Sequence, residues 1–140
     1  MAALDIEAEQ RLMRAALAAR EQAYAPYSGF RVGAALLDEA GRVHAACNVE
    51  NAAYPQSQCA EASAIGVMVA TGARRIVAVA VAGQGDAPVT PCGGCRQRLR
   101  EFAADATPVL VTDPSGLRLR TTLGELLPQA FGPAHLEVER

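Results

Sequence analysis

The chain has 140 residues, of which 51% are hydrophobic and 20% are charged, and its formal net charge at pH 7 is -2. This length and composition indicate one globular domain over residues 1–140 and exclude a disordered chain. The near-neutral charge argues against a nucleic-acid or membrane surface, because phosphate binding usually requires an excess of basic residues.

The sequence also indicates the compartment. No apolar run reaches the roughly 18 residues that a membrane-spanning helix needs. Acidic residues within the first ten positions are not typical of a secretory signal. We therefore expect a cytoplasmic, reducing location, in which the four cysteines are better explained as metal ligands or nucleophiles than as disulfides.

The predicted elements alternate between helices and strands. Residues 4–23 have helical periodicity, and a segment with Pro26 and Gly29 ends that helix. Residues 30–37 and 42–47 are predicted as a β-hairpin, followed by a polar loop. The remaining predicted elements are a helix at 59–71, a strand at 76–82, a helix at 92–103, strands at 108–112 and 117–120, and a short helix at 122–127 that Thr122 and Glu125 would cap. This order predicts an α/β fold, a three-layer α/β/α sandwich with a five-stranded mixed sheet.

Two short segments carry the chemistry, Cys59-Ala60-Glu61 and Pro91-Cys92-Gly93-Gly94-Cys95. Soft thiolates at this spacing suit zinc, and three protein ligands leave a fourth position open for water. Both segments begin predicted helices, so backbone N–H groups and positive dipole ends would face the metal. The sequence predicts one Zn²⁺ held by the three thiols, with Glu61 placed to carry protons at the open position.

Simpler explanations exist for the same residues. The thiols could hold a structural zinc, or Cys92 and Cys95 could form a redox pair. Glu61 could be an ordinary acid that favours a helix N-terminus. Cys47 is interpreted as a core residue rather than a fourth ligand. His44 and His135 are weaker candidates for ligands.

Further motifs occur in an order and spacing that resemble one protein family. The chain resembles the homotetrameric, three-cysteine type of cytidine deaminase over nearly its whole length. Besides the two cysteine segments, this resemblance rests on Tyr24-Ala25-Pro26-Tyr27-Ser28, Asn48-Val49-Glu50-Asn51-Ala52-Ala53-Tyr54, Arg96-Gln97 and Leu126-Leu127-Pro128-Gln129-Ala130-Phe131.

The resemblance implies hydrolytic deamination of cytidine and deoxycytidine to the uridines in pyrimidine salvage, with release of ammonia. Zinc would activate the water that attacks C4 of the pyrimidine, and Glu61 would carry protons to N3 and then to the leaving amine. The implied partners are a small nucleoside and further copies of the chain in a homotetramer, with no nucleic acid and no membrane.

The resemblance also assigns substrate contacts. Asn48 and Glu50, with Val49 between them, match the residues that grip the ribose hydroxyls, and one amide and one carboxylate suit a hydroxyl that both donates and accepts. The Ala60 amide and the carbonyl near Pro91 would hold the base. Residues 48 and 51 could instead be turn formers beside a solvated Glu50.

Three aromatic residues are assigned in the same way. Phe30 matches an aromatic at the pyrimidine, although it could simply belong to the core. Tyr54 and Phe131 match positions that reach a neighbouring subunit's pocket, and packing within the core or a dimer is the alternative.

One position departs from the family's pattern. Many relatives have an arginine directly after the catalytic acid, where it donates to the zinc thiolates, but this chain has Ala62. Three thiolates leave a Zn²⁺ site at a formal charge of about -1, which weakens its effect on bound water. We expect the two helix N-termini and donors such as Gln97 to compensate.

Rival functions remain within and outside this fold. A deaminase for another small aminopyrimidine nucleoside would use the same site. A polynucleotide editor would need a basic groove and stacking aromatics, but aromatic residues are only 4% of the chain. A non-catalytic, zinc-stabilised module would have no evident use for Glu61.

Overall fold

A computed structural model of the chain describes residues 4–136. The elements follow the predicted order, with small differences at their ends. They are α1 (Ile6–Arg20), β1 (Gly33–Asp38), β2 (Val43–Cys47), α2 (Ala60–Ala70), β3 (Ile76–Ala82), α3 (Gly93–Arg100), β4 (Pro108–Asp113), β5 (Gly116–Thr122) and α4 (Leu123–Leu126), with short 3-10 turns at Tyr54–Gln56 and Pro133–Leu136.

The strands form a five-stranded sheet in the order β2-β1-β3-β4-β5. β3 and β4 are parallel, whereas β1–β2, β1–β3 and β4–β5 are antiparallel. The continuous apolar run of β3 lies at the centre of the sheet, as expected for a strand that is covered on both faces. The predicted mixed sheet is therefore confirmed.

Helices cover both faces of this sheet. On one face, Leu12 and Ala16 of α1 pack on the small side chains of β1 and β3, which let the helix approach closely. On the other face, α2 and α3 contribute Ala64, Met68 and Leu99 to a second core cluster with the valines of β3. The α/β fold and its three-layer arrangement are confirmed. Within residues 4–136, no helix is both long enough and apolar enough to span a membrane.

The start of β1 corrects the predicted strand boundary. Phe30 precedes the first strand residue, Gly33, because the side chain of Asn48 binds the backbone on either side of Arg31 and holds this segment outside the ladder. A Cβ atom at Gly33 would lie 2.0 Å from the backbone oxygen of Ala16, so glycine is required where α1 crosses β1. These tertiary contacts are invisible to strand propensity.

The helix ends show where sequence signals were and were not sufficient. α1 ends at Arg20 and α3 at Arg100, each three residues before the predicted end. One of the two hydrogen bonds of the predicted α4 cap forms, because the Thr122 hydroxyl accepts from the backbone N–H of Glu125. The Glu125 carboxylate accepts from the Thr121 hydroxyl instead of from the backbone N–H of Thr122.

The hairpin between β1 and β2 contains a buried polar pair. His44 is buried, and its Nε2 lies 2.7 Å from Oδ2 of Asp38. Burial alone would disfavour the charged form of Asp38, but the contact with His44 and the backbone N–H groups of Ala40 and Arg42 lower its pKa to about 2. The contact with Asp38 gives His44 a structural role in the hairpin, rather than a role as a metal ligand.

Candidate active site

The three predicted thiol ligands lie at the starts of two helices. Cys59 is the N-cap residue of α2, Cys92 is the N-cap residue of α3, and Cys95 lies in the first turn of α3. Both helices are anchored in the same core cluster, through Ala64 and Leu99. The sequence positions the thiols locally, and the sheet brings the two helix starts together.

The thiol geometry fits a tetrahedral metal ion. The sulfur atoms of Cys59, Cys92 and Cys95, here called the thiol cluster, all lie within 4.8 Å of one another. The sulfurs of Cys59 and Cys92 are 3.8 Å apart. Sulfurs bound tetrahedrally at about 2.3 Å from Zn²⁺ stand about 3.8 Å apart. The cluster can therefore hold zinc, and three ligands leave one coordination position for another group.

The electrostatics of the thiol cluster differ from one cysteine to the next. Burial raises the pKa of Cys59 and, more strongly, that of Cys95, and Glu61 adds to both effects. Burial also opposes ionisation of Cys92, but the backbone N–H of Cys95 and the two neighbouring thiols outweigh it and lower the pKa of Cys92. Because a metal binds thiolates, loading this cluster must release protons.

Glu61 is the acid beside the thiol cluster. It lies in the first turn of α2, is 4% exposed, and lines the same pocket as Cys59 and Cys92. Burial raises the pKa of Glu61, while its own backbone N–H and the charge of Arg98 oppose this effect. A carboxyl whose pKa is raised takes up a proton more readily than an ordinary glutamate, which favours a role as a general acid–base group.

The pocket has a volume of about 350 Å³, which is the size of a site for a small molecule. Of the predicted substrate contacts, Phe30, Asn48, Glu50 and Ala60 line it together with Glu61. The structure therefore brings residues from four separate segments into one concave site, whose lining includes Cys59 and Cys92 of the thiol cluster.

The hydrogen-bonding groups of the pocket come from Ser28, Asn48 and Glu50, here called the polar wall. Asn48 accepts a 2.9 Å hydrogen bond from the Val32 amide and donates a 2.8 Å bond to the Phe30 carbonyl. These bonds use one acceptor site and one donor hydrogen, so the amide keeps a further donor and a further acceptor site.

Glu50 is held by the loop before β1. Its Oε1 accepts from the amides of Tyr27 and Ser28, at 2.9 and 3.1 Å, and its Oε2 accepts from the Ser28 hydroxyl. The Ser28 hydroxyl is the main cause of the lowered pKa of Glu50; burial opposes it, and the backbone N–H groups of Ser28 and Tyr27 add to the lowering. The carboxylate is therefore ionised and fixed in orientation.

Four predicted substrate residues are not pocket-lining in this chain. Val49 is exposed, and its backbone pairs with Gln58. Tyr54 is 70% exposed, and Phe131 is 56% exposed. Pro91 is buried, and its carbonyl accepts a 2.7 Å bond from Nε of Arg96.

Arg96 is a site residue that sequence reasoning did not assign. Besides the Pro91 carbonyl, it binds the Thr90 hydroxyl and the Leu126 carbonyl, at 2.9 and 2.7 Å. It thereby fixes Thr90 and Pro91, the two residues that lead into Cys92. Its position directly after Cys95 indicates that Arg96 lies near the site. Its partners could not be predicted from the sequence, because they lie up to 30 residues away along the chain.

The expectation for Gln97 needs correction. Its side-chain amide donates to the Phe131 carbonyl at 2.8 Å instead of serving the thiols, because Gln97 faces the C-terminal segment. The side chain that contacts a thiol is Arg98, whose Nη1 lies 3.9 Å from Sγ of Cys95.

The fold and the site define a class of protein, an α/β/α domain that can hold zinc with three thiols beside a buried acid. A family model described as "Cytidine and deoxycytidylate deaminase zinc-binding region" matches residues 6–111. The chain belongs to this family of zinc-dependent hydrolases, which confirms the family, the enzyme class and the zinc cofactor expected from the sequence.

Individual relatives agree with this assignment. The cytidine deaminase of Sporosarcina psychrophila is 44% identical over 133 residues, which cover 95% of this chain and 96% of that protein. The crystal structure of cytidine deaminase from Burkholderia pseudomallei is 46% identical, with a TM-score of 0.81 over 87% of this chain and 98% of that one. The corresponding structure from Mycobacterium tuberculosis is 40% identical, with a TM-score of 0.76 over 91% of this chain and 99% of that one.

Proposed function

We propose that the chain catalyses the hydrolytic deamination of cytidine and deoxycytidine to uridine and deoxyuridine, with release of ammonia, in pyrimidine salvage. The observation that supports this most directly is a buried acid, Glu61, in a nucleoside-sized pocket that is also lined by Cys59 and Cys92 of the thiol cluster and by Asn48 and Glu50. The relatives named cytidine deaminase, over nearly the whole chain, support the substrate.

Cys59, Cys92 and Cys95 are the proposed ligands of one zinc ion per chain, and their fit to a tetrahedral thiolate site supports this role. When bound, zinc supplies a Lewis acid that makes a water molecule nucleophilic at neutral pH. The backbone N–H groups at the two helix starts favour the negative charge of the thiolates.

Glu61 is the proposed proton carrier. It takes a proton from the attacking water and delivers it to N3 of the pyrimidine as the water oxygen bonds to C4. It then carries the second proton of the water to the exocyclic nitrogen, the C4–N4 bond breaks, and ammonia leaves. Its burial and raised pKa support a group that gains and loses a proton within each cycle.

The remaining contacts orient the nucleoside. In the proposed arrangement the Ala60 amide holds the base, and Arg96 fixes the Pro91 carbonyl next to Thr90, which lines the pocket. Asn48 and Glu50 bind the ribose hydroxyls, with Val49 as the link between them, and Phe30 covers the pyrimidine. The free donor and acceptor sites of Asn48 and the ionised state of Glu50 support the ribose role.

We also propose a homotetramer in the cytoplasm, in which Tyr54 and Phe131 lie against a neighbouring subunit's pocket. The support is the exposure of both aromatic rings, since large exposed apolar side chains mark interfaces.

The test of the function is the Glu61→Gln variant, which keeps the shape of the side chain but removes its proton chemistry. We expect kcat for cytidine to fall by about 10²–10⁴-fold, the usual contribution of a general acid–base group, while zinc content stays at about one ion per chain.

Glu125→Gln is the matched control, because Glu125 also lies in the first turn of a helix but away from the pocket. It should deaminate cytidine at the wild-type rate. Wild-type turnover in Glu61→Gln, or a zinc-loaded wild type that converts neither cytidine nor deoxycytidine, would contradict the proposal.

A further inference from the structure

Arg98 is the cationic side chain that the structure places against the thiol cluster. It follows Cys95 by three positions on α3, so the two side chains share one face of the helix. Its Nη1 lies 3.9 Å from Sγ of Cys95, and its charge also acts on the carboxylate of Glu61. Arg98 does not line the substrate pocket, so its contact is with the cluster rather than with the nucleoside.

Two small residues leave room for this contact. A Cβ atom on Gly94 would lie only 3.2 Å from Nη1 of Arg98. Ala62, on the neighbouring helix α2, lines the same surface cavity as Arg98. A large side chain at either position would compete with the guanidinium for this space. The arrangement therefore depends on three positions of this chain, in two helices.

The charge balance of metal loading gives Arg98 a role. Three thiolates with one divalent ion carry a net charge of about -1. The loaded cluster is therefore a negative group, next to the buried Glu61. A cation about 4 Å from one of its sulfurs favours that negative charge. It does so less than in a dry interior, because Arg98 is exposed to solvent.

We propose that Arg98 is the charge partner of the thiol cluster, a positioning residue whose guanidinium stabilises the zinc-loaded site. This inference rests on the proposed function of the site and goes beyond it by naming what balances the cluster's charge. The competing explanation is that Arg98, like Arg100, is simply a cation in the last turn of α3, where it complements the helix dipole.

The first measurement is the zinc dissociation constant, obtained by competition with a chelator on the full-length protein. Arg98→Ala is expected to weaken zinc binding by about tenfold, the lower end of the range for groups that support metal ligands. Arg98→Lys keeps the charge and should stay within about threefold of the wild type. The loss in Arg98→Ala should shrink as salt is raised, because an exposed charge is screened.

Arg100→Ala is the matched control. It removes a second cation from the same turn of α3, where Arg100 pairs with Asp105 at 3.4 Å. We expect wild-type zinc affinity for this variant. An equal loss in Arg98→Ala and Arg100→Ala would assign the effect to the helix dipole and overturn the inference.

A spectroscopic reading reports on the thiolates directly. In protein loaded with Co²⁺ instead of zinc, removal of the cation leaves the thiolate electrons less tightly held. The thiolate-to-cobalt charge-transfer band should therefore move to lower energy in Arg98→Ala and return in Arg98→Lys. An unchanged band in Arg98→Ala, with unchanged zinc affinity, would show that Arg98 is only a surface charge.

Relocation of the charge is the sharpest test. The double variant Arg98→Ala/Ala62→Arg supplies a guanidinium from α2 into the same cavity and should recover most of the lost zinc affinity. Equal weakening in Arg98→Lys and Arg98→Ala, with no recovery in the double variant, would reject a charge effect. The wild type separates the two proposals. If it binds no zinc, the proposed function is wrong. If it binds zinc and Arg98→Ala binds zinc with the same affinity, only the role of Arg98 is wrong.

Discussion

The thiol cluster and the polar wall are built in different ways. The thiol cluster comes from two helix starts anchored in the core, and Cys95 is fully buried. The polar wall comes from loops, and the side chains of Asn48 and Glu50 are held by hydrogen bonds to backbone 16 to 23 residues away. The first is organised by local sequence and packing, whereas the second is organised by long-range polar contacts.

This difference separates two kinds of function. Thiols that can hold a metal beside the buried acid Glu61 suit bond making and breaking, whereas a partly exposed wall of fixed donors and acceptors suits binding. Changes in the thiol cluster should therefore lower kcat and zinc content together. Changes in the polar wall should raise KM and leave the zinc content unchanged.

The largest effect is expected from the thiol cluster. Cys95→Ser replaces a buried thiol with a hydroxyl that binds zinc poorly. We expect zinc content to fall well below one ion per chain and kcat to fall at least about 100-fold. Metal analysis and steady-state kinetics on the same preparation check this.

Cys47→Ser is the matched control, because Cys47 is a half-buried free cysteine at the end of β2 and lies outside the thiol cluster. It should keep both zinc and turnover. A Cys95→Ser protein with full zinc content and full activity would contradict the role of the thiol cluster in holding zinc and in catalysis.

A smaller and different effect is expected from Glu50→Gln. The amide keeps an oxygen for the Tyr27 and Ser28 amides but loses the charge offered to the ribose. We expect KM for cytidine to rise by about 10-fold or more, as for loss of a hydrogen bond to a charged group, with kcat within about threefold.

Zinc content should be unchanged in Glu50→Gln, and Glu7→Gln, on the exposed start of α1, should behave as the wild type. If Glu50→Gln instead lost zinc or kcat with KM constant, the polar wall would belong to the chemistry rather than to binding.

The smallest effect is a shift in pH dependence. The Ser28 hydroxyl is the main cause of the lowered pKa of Glu50, so Ser28→Ala should raise that pKa. Because a carboxylate with a lowered pKa keeps its charge to lower pH, loss of the hydroxyl should make KM begin to rise at a higher pH as the solution is acidified. KM at neutral pH should increase only a few-fold, consistent with loss of one hydrogen bond.

Ser115→Ala is the matched control for this shift. The Ser115 hydroxyl binds Asp113 in a similar way, at 2.5 Å, and likewise lowers the pKa of a carboxylate. Asp113 is not a residue of the pocket. Coincident pH profiles of KM for wild type, Ser28→Ala and Ser115→Ala would mean that the ionisation of Glu50 does not govern nucleoside binding.

The sequence by itself determined the features that depend on short stretches of chain. Helical periodicity, continuous apolar runs and turn residues together identified the order of helices and strands, because each depends only on neighbouring residues. The spacing within Cys59-Ala60-Glu61 and Cys92-Gly93-Gly94-Cys95 placed one thiol of each segment at a helix N-cap, and Glu61 and Cys95 in the first helical turns. Within each segment, the helix start sets the relative positions of these residues, with little influence from the rest of the fold.

Tertiary structure decided what depends on distant partners. Asn48 binds the backbone on either side of Arg31, so β1 begins at Gly33 rather than at Phe30, and Gln97 donates to the carbonyl of Phe131. The contact of Arg98 with Cys95 is local by comparison, because only three positions on α3 separate the two residues. For Asn48 and Gln97 the partners lie in another segment of the chain, and the packing of the fold brings them together. Local propensity carries no information about such pairs, because it depends only on residues that are near in sequence.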